Sequence, residues 1–182
     1  MKLADRQLTR AWLVAFSAAL LSISQLGCQP IATGNRLTVA SAGKIISLDP
    51  AQASTVNTIQ LLSALGDPLY SLDGNGELIP RLAEASPIVS PDGLTVTIPL
   101  RRDVLFHDGT RFDAEAMAFS LRRFLEIGTL SYVVGGRIRS VEVAADHQLV
   151  LRLSRPSTSL EGLLTSVNLT PVSPTAYAQH RD

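Results

Sequence analysis

Three pairs of short extended segments, each folded across a tight turn, constrain this chain more than any other feature. The first pair, Leu69–Leu72 and Glu77–Pro80, is joined by Asp73-Gly74-Asn75-Gly76. Glycine takes positive φ freely, and Asp and Asn bond their own backbone two residues on, so this run closes a hairpin. The second pair, Ile88–Ser90 and Leu94–Leu100, is joined by Pro91-Asp92-Gly93. Its Leu94, Val96, Ile98 and Leu100 alternate along the chain and should face a core. Pro99 cannot donate to a ladder, which predicts an edge position or a bulge there. The third pair, Ile138–Ala144 and Gln148–Leu153, turns across Ala145-Asp146-His147. Leu37–Ala40, LTVA, predicts one further strand.

Helical segments lie between these hairpins. Residues 55–65, TVNTIQLLSAL, place Val56, Ile59, Leu62 and Leu65 on one face at helical spacing, and Gly66 and Pro68 stop the helix. The stretch LRRDVLFHDGTRFDAEAMAFSLRRF, residues 100–124, raises a sharper question, because His107-Asp108 could be read as chemistry. Yet Asp108-Gly109 is a turn signal and Asp113 is a good N-cap for the helix that follows. Met117, Leu121, Phe124 and Leu125 then form its apolar face. Side chains adjacent in sequence generally diverge, so His107-Asp108 is poorly placed as a dyad and is expected to be a corner. His147 and His180 are expected to be solvated. Strands and helices alternate throughout, which makes the fold class α/β in the mixed α+β sense.

Known catalytic patterns do not occur in the sequence. There is no GxSxG elbow, no HExxH and no P-loop. Catalytic residues, metal ligands and cofactors are therefore expected to be none. Asp73 to Glu84 faintly resembles a calcium loop, but the sixth place, which needs glycine, is Leu78. Formal net charge is zero, against the clustered cations that nucleic acid requires. Tyr70, Tyr132 and Tyr177 could stack on a ligand but are expected to be structural. Asn168-Leu169-Thr170 forms a glycosylation sequon.

The N-terminus stands apart. Lys2, Arg6 and Arg10 precede the apolar run Ala11–Leu21, and SISQLGC ends at Cys28, the one cysteine of the chain. A basic start, a short apolar core and a small residue before a cleavage point make a secretory signal. A cysteine directly after it is similar to a bacterial lipoprotein signal, in which the thiol is acylated. The match departs from the usual pattern, since Gln25 and Leu26 put the leucine one place late. Acylation of Cys28, plain cleavage and an uncleaved anchor are the alternatives. Residues 1–27 are thus expected to be a lipoprotein-type signal peptide and residues 28–36 a tether.

Four segments carry a family likeness: SLDP at 47–50, PLYSLDGNGELIPRLAEASPIVSPDGLTVTIPLRRDVLFHDGTRFDAEAMAFSLRRF at 68–124, VEVAADHQLVLRL at 141–153, and NLTPVSP at 168–174. An apolar-Tyr strand, a Gly turn, Pro-x-Leu-Ala, Asp-Gly-Leu, Leu-Arg and a Phe-His-Asp-Gly-Thr corner follow in order. In this it resembles the family 5 solute-binding proteins of bacterial ABC transporters, the dipeptide, oligopeptide and nickel binders. It departs from them at Ala116, where the family usually has Asp, and at Pro99.

The resemblance implies a partial periplasmic-binding-protein-like type II fold over residues 37–182. First-lobe segments and a small N-terminal subdomain would be present, and the second lobe missing. It implies a non-enzymatic substrate-binding component that captures peptides or a similar small solute. Its partners would be an ABC permease with its ATPase subunits, and the membrane through a lipid anchor on the periplasmic side of the cytoplasmic membrane. Ligands of open α/β sheets gather at the carboxyl ends of strands, which makes Ser47, Leu48 and Asp49 candidate ligand-binding residues. The alternative is that Asp49-Pro50 only shapes a turn. A truncated, non-binding lipoprotein fragment acting as an interaction module is the rival expectation. A chain missing one lobe should have a protected middle and mobile ends.

Overall fold

The computed structural model describes residues 38–134 and 136–179. The chain divides into two units, residues 1–40 and 41–182. Of the first, only residues 38–40 are described. They are exposed and lack regular structure. The signal, the tether, Cys28 and His180 lie outside the described residues.

In the second unit the three hairpins form as the turn residues dictate. Strands β1 (Tyr70–Leu72) and β2 (Leu78–Pro80) make a two-stranded ladder. The Asp73 carboxylate accepts the amides of Asn75 and Glu77, both at 2.8 Å, and Gly76 supplies φ of 85°. Strands β3 (Ile88–Val89), β4 (Thr95–Pro99), β5 (Ile138–Ala145) and β6 (Gln148–Leu153) form an antiparallel sheet in the order β3-β4-β6-β5. Val96, Ile98 and Leu100 point into the core, as their alternation predicts, and meet Leu149, Leu151 and Leu153 from β6.

Helices α1 (Val56–Leu65) and α2 (Ala114–Ile127) begin on side-chain caps from Thr55 and Asp113. Helix α2 crosses β5 and β6, burying Met117, Leu121 and Phe124. Three short helices complete the unit: α3 (Ser131–Val134), α4 (Leu160–Leu164) and α5 (Pro174–Gln179). Single 3-10 turns lie at Pro50–Gln52 and Val167–Leu169. Among the described residues no helix is long and apolar enough to cross a membrane.

Four local expectations change. Residues 38–40 are not a strand, because none of the described strands pairs with them. Strand β4 is neither at an edge nor bulged at Pro99. It is interior, and Pro99 ends it. Leu100 donates to the His147 carbonyl on the β6 side, whereas the Pro99 nitrogen faces the β3 side, where β3 reaches only the level of Val96 and Thr97, so the missing N–H breaks no ladder bond. The irregularities fall in β5 instead. Helix α1 buries Thr58 and Leu62, leaving Val56 and Leu65 exposed, so its inner face is rotated from the apolar stripe. His147 is half-buried, with Nδ1 enclosed and unpartnered, because the hairpin turn is held by Leu100 and Ala114 rather than projecting into solvent.

Candidate functional site

An open groove of about 580 Å³ runs along one side of the second unit. That is within the range of small-molecule sites, roughly 300–1,000 Å³. Leu48, Leu62, Leu82, Val104 and Phe106 give it apolar walls. Asp67, His107, Asp108, Thr170 and Ser173 supply its polar positions. It lies among four chain segments: the loop before Pro50, the end of α1, the Phe106–Asp108 corner and the run into α5.

The loop before Pro50 is tied down from several directions. The Ser47 hydroxyl accepts the Asp49 amide at 3.1 Å, and Asp49 Oδ1 accepts the Ala51 amide at 3.0 Å. Asp49 Oδ2 accepts from the Arg123 guanidinium of α2 in a close ion pair. Asn168 Nδ2 donates to the carbonyls of Pro50 and Ala53 at 2.9 and 2.7 Å. The Thr129 amide donates to Ala51 at 3.1 Å.

Arg123 is the least expected member. Its side chain is only 8% exposed, and the guanidinium carbon lies 4.4 Å from the Tyr177 ring centroid. The Tyr177 ring stands edge-on to Phe119 at 5.5 Å. Burial opposes the Arg123 charge, but Asp49 and Tyr177 hold its pKa above the ordinary arginine value.

The corner and α5 are joined by a second polar tie. Asp108 accepts from Ser173 Oγ at 2.5 Å and from Thr110 Oγ1 at 2.6 Å, while Ser173 Oγ caps α5 by accepting the Ala176 amide. Hydrogen bonds from Ser173, then Thr110, lower the Asp108 pKa to about 2. A depressed carboxylate pKa stabilises above its unfolded value and loses that contribution as pH falls through its folded value. The α5 tie is therefore expected to weaken between about pH 4 and about pH 2. Asp108→Asn should abolish this acid step in the NMR-detected titration of the Ala176 amide. An unchanged step would assign it to another group.

The structure brings only part of the expected trio to the groove. Leu48 lines it and is 58% exposed. Ser47 is half-buried and turned onto its own backbone, and the Asp49 carboxylate is occupied by Ala51 and Arg123. His107 is exposed at a corner closed by Phe106, Gly109 and Thr110. Sequence reasoning missed Arg123 and Asn168. The pair Arg122-Arg123 looks like solvated helix surface, yet Arg123 follows Ala116 and Ser120 along a second buried face of α2. Asn168, noted only as a sequon, is 6% exposed with its amide committed to two carbonyls. Tyr70, too, is a core residue, its hydroxyl donating to Ala85 at 2.9 Å, and burial, reinforced by Glu161, raises its pKa.

The fold is that of the first part of type II periplasmic binding proteins. The pheromone receptor PrgZ, solved for its mode of peptide binding, superposes with a TM-score of 0.69 at 25% identity, over 74% of this chain and 30% of its own. Residues 77–181 match the bacterial extracellular solute-binding proteins, family 5 Middle, and the chain belongs to that family. It is 28% identical over 175 residues to the glutathione-binding protein GsiB of Salmonella choleraesuis, covering 95% of this chain and 33% of that protein. The probable peptide ABC transporter periplasmic-binding protein y4tO of Sinorhizobium fredii is 28% identical over 165 residues, covering 90% and 30%. The chain thus spans about a third of the length of the curated relatives it matches.

Proposed function

We propose that this chain serves as the substrate-binding component of an ABC transporter, taking up peptides or a peptide-like solute such as glutathione. The observation that carries the reading is family membership across residues 77–181, joined to an open apolar groove beside Leu48. Capture would take place outside the cytoplasmic membrane, with delivery to a permease. ATP would be hydrolysed by separate subunits, and this chain would catalyse nothing. Peptides would be held chiefly by main-chain hydrogen bonds, which tolerate varied side chains. Residues 37–182 would contribute the first-lobe surface, with Ser47, Leu48 and Asp49 on the ligand side.

Titration calorimetry with glutathione and mixed short peptides tests the reading. Residues 28–182 alone should bind no tighter than about millimolar, worth roughly 4 kcal/mol. Fused in frame to the remaining length of a GsiB-type relative, they should bind at about micromolar. A folded fusion that binds none of these solutes overturns the reading and favours a non-binding interaction module. In the fusion, Leu48→Ala should weaken binding about fivefold, the loss of roughly 1 kcal/mol of apolar contact, without lowering Tm. Equal loss of binding and Tm would mean that the loop only shapes the turn at Asp49-Pro50.

The anchor is tested separately. Cys28, at the end of the expected signal region, would carry lipid and hold the chain at the membrane. Firm attachment generally takes more than one acyl chain, at about 0.8 kcal/mol per buried CH₂, which suits a diacylglyceryl group. Cys28→Ser should release the protein to the soluble fraction or stall its precursor. A variant processed and membrane-bound as before removes Cys28 from the anchor.

A further inference from the structure

We infer that Arg123 is a positioning residue that couples the Ser47–Asp49 loop to helix α5, so that the groove-side loop and α5 respond as one unit. This rests on the reading of that loop as the ligand side.

The geometry supplies both arms. On one side Arg123 donates to Asp49 Oδ2, whose partner oxygen fixes the Ala51 amide. Leu48, the loop residue exposed in the groove, immediately precedes Asp49. On the other side the guanidinium lies over the Tyr177 ring, and Tyr177 belongs to α5, a helix with no buried residue. The planar guanidinium can stack on an aromatic face while donating in its plane, which an ammonium cannot do as well.

Stability alone is a poor reason for this arrangement. Arg123 is buried, and its Nε is enclosed without a hydrogen-bond partner. A buried ion pair with an unfilled donor is often matched or bettered by apolar residues of similar volume. The pair does give the loop and α5 a common fixed point. Four other hydrogen bonds hold residues 50–53 from Asn168 and Thr129, so the backbone of the 3-10 turn is expected to survive without Arg123. What Arg123 adds is the orientation of Asp49, and with it the chain direction at Leu48.

The test needs no solute. The probes are amide exchange at Ala51, the ring resonances of Tyr177, and amide exchange across β4 and β6 as a measure of global stability. Asp49→Asn should shift the Tyr177 ring signals, and Tyr177→Leu should accelerate Ala51 exchange about fivefold, within the range for residues that share one network. Arg123→Leu should produce both effects while β4 and β6 keep their protection. Arg123→Lys should restore Ala51 protection through its charge, yet leave the Tyr177 signals displaced. Perturbations that stay on the side of the substituted residue overturn the inference. So does native Ala51 protection in Arg123→Leu, or a uniform loss of protection that Arg123→Lys does not repair. Solute binding could fail entirely without altering these readouts, which separates this inference from the function on which it rests.

Discussion

Asn168→Asp is expected to destabilise the second unit by about 3–5 kcal/mol at neutral pH, the cost of an uncompensated buried charge. The native amide nitrogen donates to the carbonyls of Pro50 and Ala53 in a buried site. A carboxylate there has no hydrogen to donate and faces two acceptor oxygens. Asn168→Ala should cost less, about 2–3 kcal/mol, the usual penalty for stranding a buried polar group. The Pro50 carbonyl keeps a partner in the Ala53 amide, whereas the Ala53 carbonyl loses the donor it has in Asn168. The two variants separate in their pH dependence. Burial raises the pKa of an introduced aspartate, so its penalty is full above that pKa and declines as pH falls and the group protonates. Urea unfolding at pH 7 and pH 5 should show partial recovery for Asn168→Asp and none for Asn168→Ala. Equal stability of Asn168→Asp and the native protein would contradict the buried clamp.

The other large effect is expected in the sheet. Leu151→Ala should cost about 3–5 kcal/mol, the range for a buried leucine whose cavity does not collapse. Leu151 is fully buried on β6, opposite Val96 of β4 and Val141 of β5, so neighbours on both sides are fixed by ladders. Ile88→Ala on β3 is the control. Ile88 is 65% exposed on an edge strand, and a surface substitution of this kind stays within about 0.5 kcal/mol. The comparison is read from urea midpoints at constant slope. Similar losses at both positions would mean that β3 is covered, contrary to its exposure here.

Much of the topology was legible because its signals are local. Asp73 and Gly76 close a hairpin through bonds spanning at most four residues, and the Asp108-Gly109 corner works in the same way. Asp113 caps α2 three residues ahead. Alternation from Val96 to Leu100 identified the buried side of β4 without its partners. The corner reading of His107-Asp108 also followed from these short-range bonds. Family likeness, carried by the same turns and caps, gave the type II fold.

The candidate site was legible in part, and the boundary has a physical cause. The sequence by itself determined the hairpins, the caps, the core side of β4 and the family. Each depends on backbone geometry or hydrogen bonds within a few residues, which the local residue types decide. Tertiary structure alone decided that Asp49 meets Arg123, 74 positions away, and that Asn168 clamps carbonyls 115 and 118 positions away. It also decided that α1 turns Thr58 inward and leaves Val56 out, and that β4 is interior despite Pro99. A helix or strand has more than one face that can be buried. Which face is used, and which polar group on it finds a partner, depends on where distant segments come to rest.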